Sequence, residues 1–298
     1  MISHVWVVFT LIGAAGQTAR NAMQRELTPR LGALGATLVR FLFGFPFALI
    51  FLAIAVLATG ARLPAITPPF AEWIVMGAVT QIAGTALMLL TMEHRSFVVT
   101  VAYLKAEPVL VAILGLVFLG DALSGLTMLA IATAMAGVFV ISVRPEALTG
   151  GTKPALLGLA SAGLFGLSSV SYRGAILALH MPGYVMPATF SLAVGLGVQT
   201  GLLVTWLLLF KRQTLTATFK LWRPSLLAGF TGAAASEMWF LAFALATAAS
   251  VRTLGLVDVL FAQAVSHMVF KHKTTGREII GIALLVAGAV LIVWAHPG

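Results

Sequence analysis

The fold of this chain is decided by residues 97–143, which read FVVTVAYLKAEPVLVAILGLVFLGDALSGLTMLAIATAMAGVFVISV. This stretch holds only three charged residues, Lys105, Glu107 and Asp121, and is otherwise almost entirely apolar. Gly120 and Asp121 divide it into two apolar runs, each close to the roughly 20 residues that a helix needs to cross a bilayer. The stretch therefore predicts two successive transmembrane helices.

The rest of the chain has the same character. Of its 298 residues 60% are hydrophobic and 9% charged, and the mean hydropathy is +1.05, which excludes a water-soluble surface. A β-barrel would need alternating polarity instead of continuous apolar runs. We predict an all-α membrane protein of ten transmembrane helices, near residues 4–20, 33–58, 70–92, 97–118, 124–143, 154–178, 185–210, 222–246, 251–270 and 276–295.

The two halves of the sequence resemble each other at an offset of about 151 or 152 residues. The matched positions are Gly77 with Gly229, Glu107 with Asp258, Gly125 with Gly276, and Gly137 with Gly288. We predict two five-helix repeats, residues 1–148 and 152–298. Because five is odd, the second repeat enters the membrane in the opposite orientation, an architecture common in secondary transporters whose substrate site lies at the repeat interface.

Basic residues set the predicted topology. The formal net charge is +9, but Lys and Arg lie in short loops between apolar runs, which argues against nucleic-acid binding. The odd-numbered connections carry most of them: Arg20, Arg25, Arg30, Arg95, Arg144, Lys153, Lys211, Arg212, Lys220, Arg223, Lys271, Lys273 and Arg277. The even-numbered connections carry Arg62 and Arg252. The positive-inside rule then places both termini in the periplasm of a bacterial inner membrane.

The segment from Glu107-Pro108 through Phe118-Leu119-Gly120-Asp121-Ala122-Leu123 resembles the fourth-to-fifth helix pattern of EamA-type exporters in the drug/metabolite transporter superfamily. Asp121 replaces the more usual Glu, and the second half has Val259 and His272 at the matching Pro and acidic positions. The resemblance covers the whole chain and is greatest to bacterial aromatic amino-acid exporters. It implies export of a small metabolite, without a cofactor.

Polar residues at membrane depth mark the candidate site, because they usually face a bundle interior or a wet cavity. On the fourth helix Thr100, Tyr103 and Glu107 share one face. Glu107 either meets a substrate ammonium or a proton, or pairs with Lys105 or Arg40 to hold helices together. The remaining substrate-binding candidates are Arg40, Gln81, Thr85, Met88, Glu237, Trp239 and Asp258.

Each candidate has a competing interpretation. Arg40 binds a substrate carboxylate or snorkels toward the interface, whereas Arg20 is expected to end its helix at the cytoplasmic face. Trp239 contributes aromatic selectivity or belongs to the interfacial belt. Gln263 and His267 form a further polar stripe in the ninth helix. Glu107, Glu237 and Asp258 are the candidates for coupling export to proton entry.

The sequence therefore predicts a non-enzymatic exporter of aromatic or large neutral amino acids that works by alternating access. Sugars, nucleosides and toxic cations are alternative substrates. An intramembrane enzyme is a poorer hypothesis, because the sequence has no His-Glu-x-x-His, no Gly-x-Ser-x-Gly and no adjacent acidic pair. The expected partners are a small molecule and membrane lipids, with no nucleic acid and no metal, and the expected state is a monomer.

Overall fold

A computed structural model describes residues 4–94, 97–142, 152–261 and 275–295. Its helices are α1 Val5–Leu42, α2 Phe45–Thr59, α3 Pro68–His94, α4 Phe97–Leu104, α5 Glu107–Leu119, α6 Gly125–Ser142, α7 Thr152–Ala178, α8 Val185–Phe210, α9 Arg212–Lys220, α10 Trp222–Leu245, α11 Ala248–Leu254 and α12 Gly276–Ala295. A 3-10 turn, Gly255–Val257, follows α11. Each of the ten predicted segments contains helix in the described residues, and the all-α prediction is confirmed.

The distribution of polarity is that of a protein in lipid. Large apolar side chains lie on the outside, such as Leu57 and Trp294, which are 84% and 78% exposed. Charged side chains such as Arg20 and Arg40 are buried. By length and composition, seven stretches of the described chain suffice to cross a membrane, with Val5–Thr59 counted as one and α6 as a shorter apolar helix. The bundle thus buries its polar groups and presents apolar groups outward.

The first two predicted helices differ from the structure at their junction. Helix α1 does not end near residue 20 but continues to Leu31, and it reverses at Gly32, whose φ of +67° and ψ of 171° suit only glycine. Gln24 Nε2 donates to the carbonyl oxygen of Ala36 at 3.0 Å, so residues 33–42 fold back along the first arm. A second break at residues 43–44 precedes α2. Arg20 therefore lies inside a helix, which corrects the prediction that it ends one.

The most extensive helix contacts join α1 with α10, α3 with α7, and α6 with α12. Glycine lets the last pair touch backbone to backbone. A Cβ placed on Gly137 would lie 2.5 Å from the backbone N of Leu285, and one on Gly288 would lie 2.5 Å from that of Ala134. Such closeness brings the helices from the two halves of the chain into one compact bundle.

One helix was not predicted. Helix α9, Arg212–Lys220, is a short segment between α8 and α10, and Leu215 and Thr218 are its buried residues. Exposed polar residues, including Arg212 and Lys220, make this segment too polar to form an apolar run in the sequence. Helix α9 packs against α1 and α8, and so covers the end of the bundle where the α1 reversal lies.

Candidate functional site

Two of the predicted helices are broken at the centre of the bundle. The fourth is divided at Lys105 and Ala106, where backbone amides bond three residues back instead of four. Pro108 explains the break, because its ring has no N–H and clashes with the carbonyl of Leu104 one turn earlier. The ninth changes from α11 to a 3-10 turn at Gly255 before helix resumes at Asp258. Both breaks place charged side chains inside the helical bundle.

The four charged side chains at these breaks form two ion pairs between the halves of the chain. Lys105 Nζ contacts the carboxylate of Asp258, and Arg252 Nε lies 2.9 Å from Glu107 Oε1. The four side chains are between 9% and 12% exposed. Glu107 thus pairs with Arg252. This corrects the alternative prediction that it pairs with Lys105 or Arg40 to hold helices together. Arg252 itself lies in α11, with its side chain 9% exposed, and is not a loop charge.

Arg252 is held by more than its ion pair with Glu107. Its Nε donates to Ser169 Oγ at 2.9 Å, and its guanidinium carbon lies 4.4 Å from the ring centre of Trp239. The ring fits there because residue 255 is glycine: a Cβ on Gly255 would approach Trp239 Cη2 to 2.6 Å. Cation–π contact and hydrogen bonds together fix the orientation of the arginine.

Two further arginines reach the same region from the α1 hairpin, which consists of residues 5–31 and 33–42 on either side of Gly32. Arg20 donates to the side-chain oxygen of Asn21 at 3.0 and 3.3 Å, and Arg40 Nη1 donates to Thr85 Oγ1 at 3.0 Å. Both pass Gly232, where a Cβ would lie 3.1 Å from Arg20 Cδ and 3.7 Å from Arg40 Cγ. The reversal at Gly32 is what brings two arginines twenty positions apart into proximity.

These groups surround one buried cavity. Its volume is about 50 Å³, several times what a single water molecule needs. Its walls carry four cations and two carboxylates beside aromatic and apolar side chains: Gln17, Arg20, Asn21, Arg40, Gln81, Met88, Leu104, Lys105, Glu107, Pro108, Phe165, Trp239, Arg252, Gly255, Leu256 and Asp258. The cavity is therefore polar, net positive and bordered by rings.

Six of the candidates from the sequence lie in this wall: Arg40, Gln81, Met88, Glu107, Trp239 and Asp258. Thr85 lies directly behind it as the partner of Arg40. Gln81 also belongs to a buried amide network, since Gln199 Nε2 donates to Gln81 Oε1 and to the hydroxyl oxygen of Tyr172, both at 2.9 Å. That network holds α3, α7 and α8 together behind the cavity.

Three candidates lie elsewhere in the described part of the chain. Thr100 is buried in α4, and Tyr103 packs on Gly158, where a Cβ would meet Tyr103 Cβ at 2.6 Å. Glu237 is 8% exposed and accepts a hydrogen bond from Thr189, which connects α10 to α8. Gln263 and His267 lie outside the described residues, as do Arg95, Arg144, Lys271, His272 and Lys273.

A third ion pair, away from this cavity, involves Asp121, which follows Gly120 between α5 and α6. Arg173 Nε lies 3.4 Å from Asp121 Oδ2, and Arg173 Nη1 donates to the carbonyl oxygens of Phe243 and Ala246, each at 2.6 Å. Those carbonyls lie at the end of α10, where helical hydrogen bonding stops. Arg173 therefore connects the α5–α6 junction to the α10–α11 junction.

A membrane bundle with broken helices around a buried charged cavity is the architecture of a multi-pass transporter. Residues 4–143, within the first half of the chain, match the EamA-like transporter family, and this match supports an EamA-type transporter of the drug/metabolite transporter superfamily. No curated protein matches the chain. A crystal structure of a protein 15% identical to it superposes with a TM-score of 0.68 over 99% of this chain and 96% of that one. This likeness shows that the fold extends over both halves.

Proposed function

We propose that this protein exports a small amphipathic metabolite from the cytoplasm by alternating access through the central cavity. Aromatic and large neutral amino acids are the substrates we expect. The observation that carries the proposal is the composition of the cavity wall, which sets arginines beside Trp239, Phe165 and Met88. Guanidinium groups suit a carboxylate, while the rings and the adaptable Met suit an apolar side chain.

Alternating access requires two halves that rock about the site, and the glycine contacts between α6 and α12 support such a pair. Adding 151 to Ala134 and Gly137 gives 285 and 288. The contact of Gly137 with Leu285 therefore becomes, under this shift, the contact of Gly288 with Ala134. Contacts of this reciprocal kind arise when two similar units are related by a two-fold axis. We take residues 1–148 and 152–298 as inverted repeats on this basis.

The exposed basic residues near α9 support the proposed orientation. Lys211, Arg212, Lys220 and Arg223 are all exposed around that helix, which suits the cytoplasmic side of a bacterial inner membrane under the positive-inside rule. The termini are then periplasmic. Export in this orientation loads the substrate from the side of the bundle that carries the α1 reversal and α9.

The motive force is either a proton gradient or the substrate gradient itself. Glu107 and Asp258 are the carboxylates in the cavity, and each is already paired with a cation. Proton coupling would therefore require protonation of a carboxylate to release its partner. Glu237, outside the wall, would act only if a rearrangement exposed it.

Counterflow in proteoliposomes tests the proposal. We expect preloaded phenylalanine, tryptophan or leucine to accelerate entry of the same labelled amino acid, whereas sugars and nucleosides do not. Trp239→Leu should abolish the acceleration, and Trp206→Leu should not, because Trp206 is 50% exposed on the outer surface. Exchange of sugars or nucleosides alone would refute the amino-acid assignment, and exchange unaffected by collapse of the proton gradient would refute obligatory proton coupling.

A further inference from the structure

The cavity contains more positive than negative charge. Its wall holds Arg20, Arg40, Lys105 and Arg252 but only two carboxylates, and those two pair with Lys105 and Arg252. Among the described residues, the bonding partners of Arg20 and Arg40 are neutral, Asn21 and Thr85. The α1 hairpin therefore delivers two positive charges that lack a paired counter-charge in this part of the chain.

These two arginines are also incompletely hydrogen-bonded. Arg20 is 3% exposed and Arg40 is 4% exposed, yet Arg20 Nη1 and Arg40 Nε have no hydrogen-bond partner among the described residues. Arg20 is repelled by Arg40 and by Arg252, and the one carboxylate that attracts it, Glu107, is already paired with Arg252. Buried charge that is neither neutralised nor fully bonded is costly, so a bound anion would relieve both deficits at once.

The two side chains are held ready for such a ligand. Thr85 fixes Arg40, whose guanidinium carbon also lies 5.1 Å from the ring centre of Phe41. Asn21 receives two donors of Arg20 and so orients its planar group. Both stems pass the bare backbone of Gly232. Two fixed guanidinium groups in one wall match the planar, two-oxygen geometry of a carboxylate.

We propose that Arg20 and Arg40 form an anion subsite in the cavity, and that the substrate is an organic carboxylate with an apolar or aromatic body. This inference rests on the proposed transport function and narrows its substrate class. The carboxylate lies between the arginines, and the body packs toward Trp239, Phe165 and Met88. An α-ammonium group is dispensable, because both carboxylates of the wall are already engaged by protein cations.

Binding to the purified wild-type protein tests this substrate class with three related compounds. Phenylalanine carries both charged groups, 3-phenylpropanoate lacks the ammonium, and phenethylamine lacks the carboxylate. We expect 3-phenylpropanoate to raise the melting temperature at least as much as phenylalanine, and phenethylamine to leave it unchanged. Stabilisation by phenethylamine, or by phenylalanine but not 3-phenylpropanoate, would overturn the proposal. Stabilisation by inorganic phosphate alone would assign the subsite to a different anion and overturn the carboxylate.

Variants then locate the anion. Arg20→Gln and Arg40→Gln should each weaken binding of 3-phenylpropanoate about tenfold or more, the effect of losing a charge-assisted hydrogen bond. Arg212→Gln is the matched control, because that arginine is exposed. Unchanged binding in both cavity variants would refute the subsite. If either fails to fold, the ligand series on the wild-type protein still decides.

Transport assays distinguish failure of the anion subsite from failure of the proposed transport function. Proteoliposomes that bind 3-phenylpropanoate but do not exchange it would leave the subsite intact and refute its use in transport. Exchange of a neutral sugar or nucleoside without any carboxylate binding would refute the subsite and leave a transporter. Each failure therefore has its own signature.

Discussion

The pair formed by Lys105 and Asp258 gives the sharpest test of how the site is held together. Lys105→Met removes the cation, Asp258→Asn removes the carboxylate, and the double variant removes both. The pair joins the break of the fourth helix to that of the ninth, and its side chains are 9% and 12% exposed. Because water reaches so little of it, the loss of one partner leaves the other charge buried.

Removal of one partner from a buried ion pair costs about 3–5 kcal/mol of unfolding free energy. The net positive charge of the cavity decides where in this range each variant lies. The wall holds four cations and two carboxylates. Lys105→Met lowers the excess of positive charge and leaves Asp258 attracted by Arg252, so we expect a loss of about 3 kcal/mol in unfolding free energy. Asp258→Asn raises the excess and should cost about 5 kcal/mol. The double variant keeps the original excess and should recover to within about 1–2 kcal/mol of wild type.

The measurement is the free energy of unfolding from a denaturant titration in mixed micelles, for the four proteins of the cycle. Lys220→Met serves as control, because Lys220 is exposed and surface changes usually stay within about 0.5 kcal/mol. A double variant as unstable as Asp258→Asn would show that the pair does not couple the two helices. A larger loss in Lys105→Met than in Asp258→Asn would refute the argument from excess positive charge.

Three further predictions follow from individual residues. Gly288→Ala should cost about 1–3 kcal/mol of unfolding free energy by overpacking, whereas Gly276→Ala, whose Cβ would meet nothing within 4 Å, should be neutral in the same titration. Gly255→Ala should displace the neighbouring indole, seen as a shift in tryptophan fluorescence and reduced exchange; an unchanged spectrum would contradict the contact. Since the chain has no Cys, Arg62→Cys and Arg212→Cys test topology: an impermeant maleimide should label the first in intact cells and the second only after permeabilisation, and the reverse pattern would invert the proposed orientation.

Long apolar runs with clear ends were predictable from the sequence. The predicted segment 185–210 coincides with α8, and 276–295 coincides with α12. These boundaries are clear because a change from apolar to polar residues coincides with the change from lipid to water. The six cavity-lining candidates were found for a related reason: polar side chains at membrane depth are costly and therefore turn inward.

The features that the sequence did not predict depend on breaks within helices and not on the length of apolar runs. Arg20 and Arg252 were both assigned to the edges of the membrane because charged residues there usually mark loops. Their true positions depend on the reversal at Gly32 and the 3-10 turn after Leu254. A hydropathy pattern carries no information on φ at a single glycine. Pro108 was the one visible signal, and its effect on Leu104 would have predicted the break at Lys105.

The crossed ion pairs bear on how such a protein changes state. Glu107 and Asp258 are matched positions of the two halves, and each is neutralised by a cation from the helix of the other, Arg252 and Lys105. Any rocking that separates the broken helices must therefore disrupt both pairs in the same movement. A ligand drives such a change only to the extent that it binds the new state better. A substrate carboxylate bound at Arg20 and Arg40 has that property, because it adds negative charge to a cavity in which Lys105 and Arg252 lose their protein partners as the halves part.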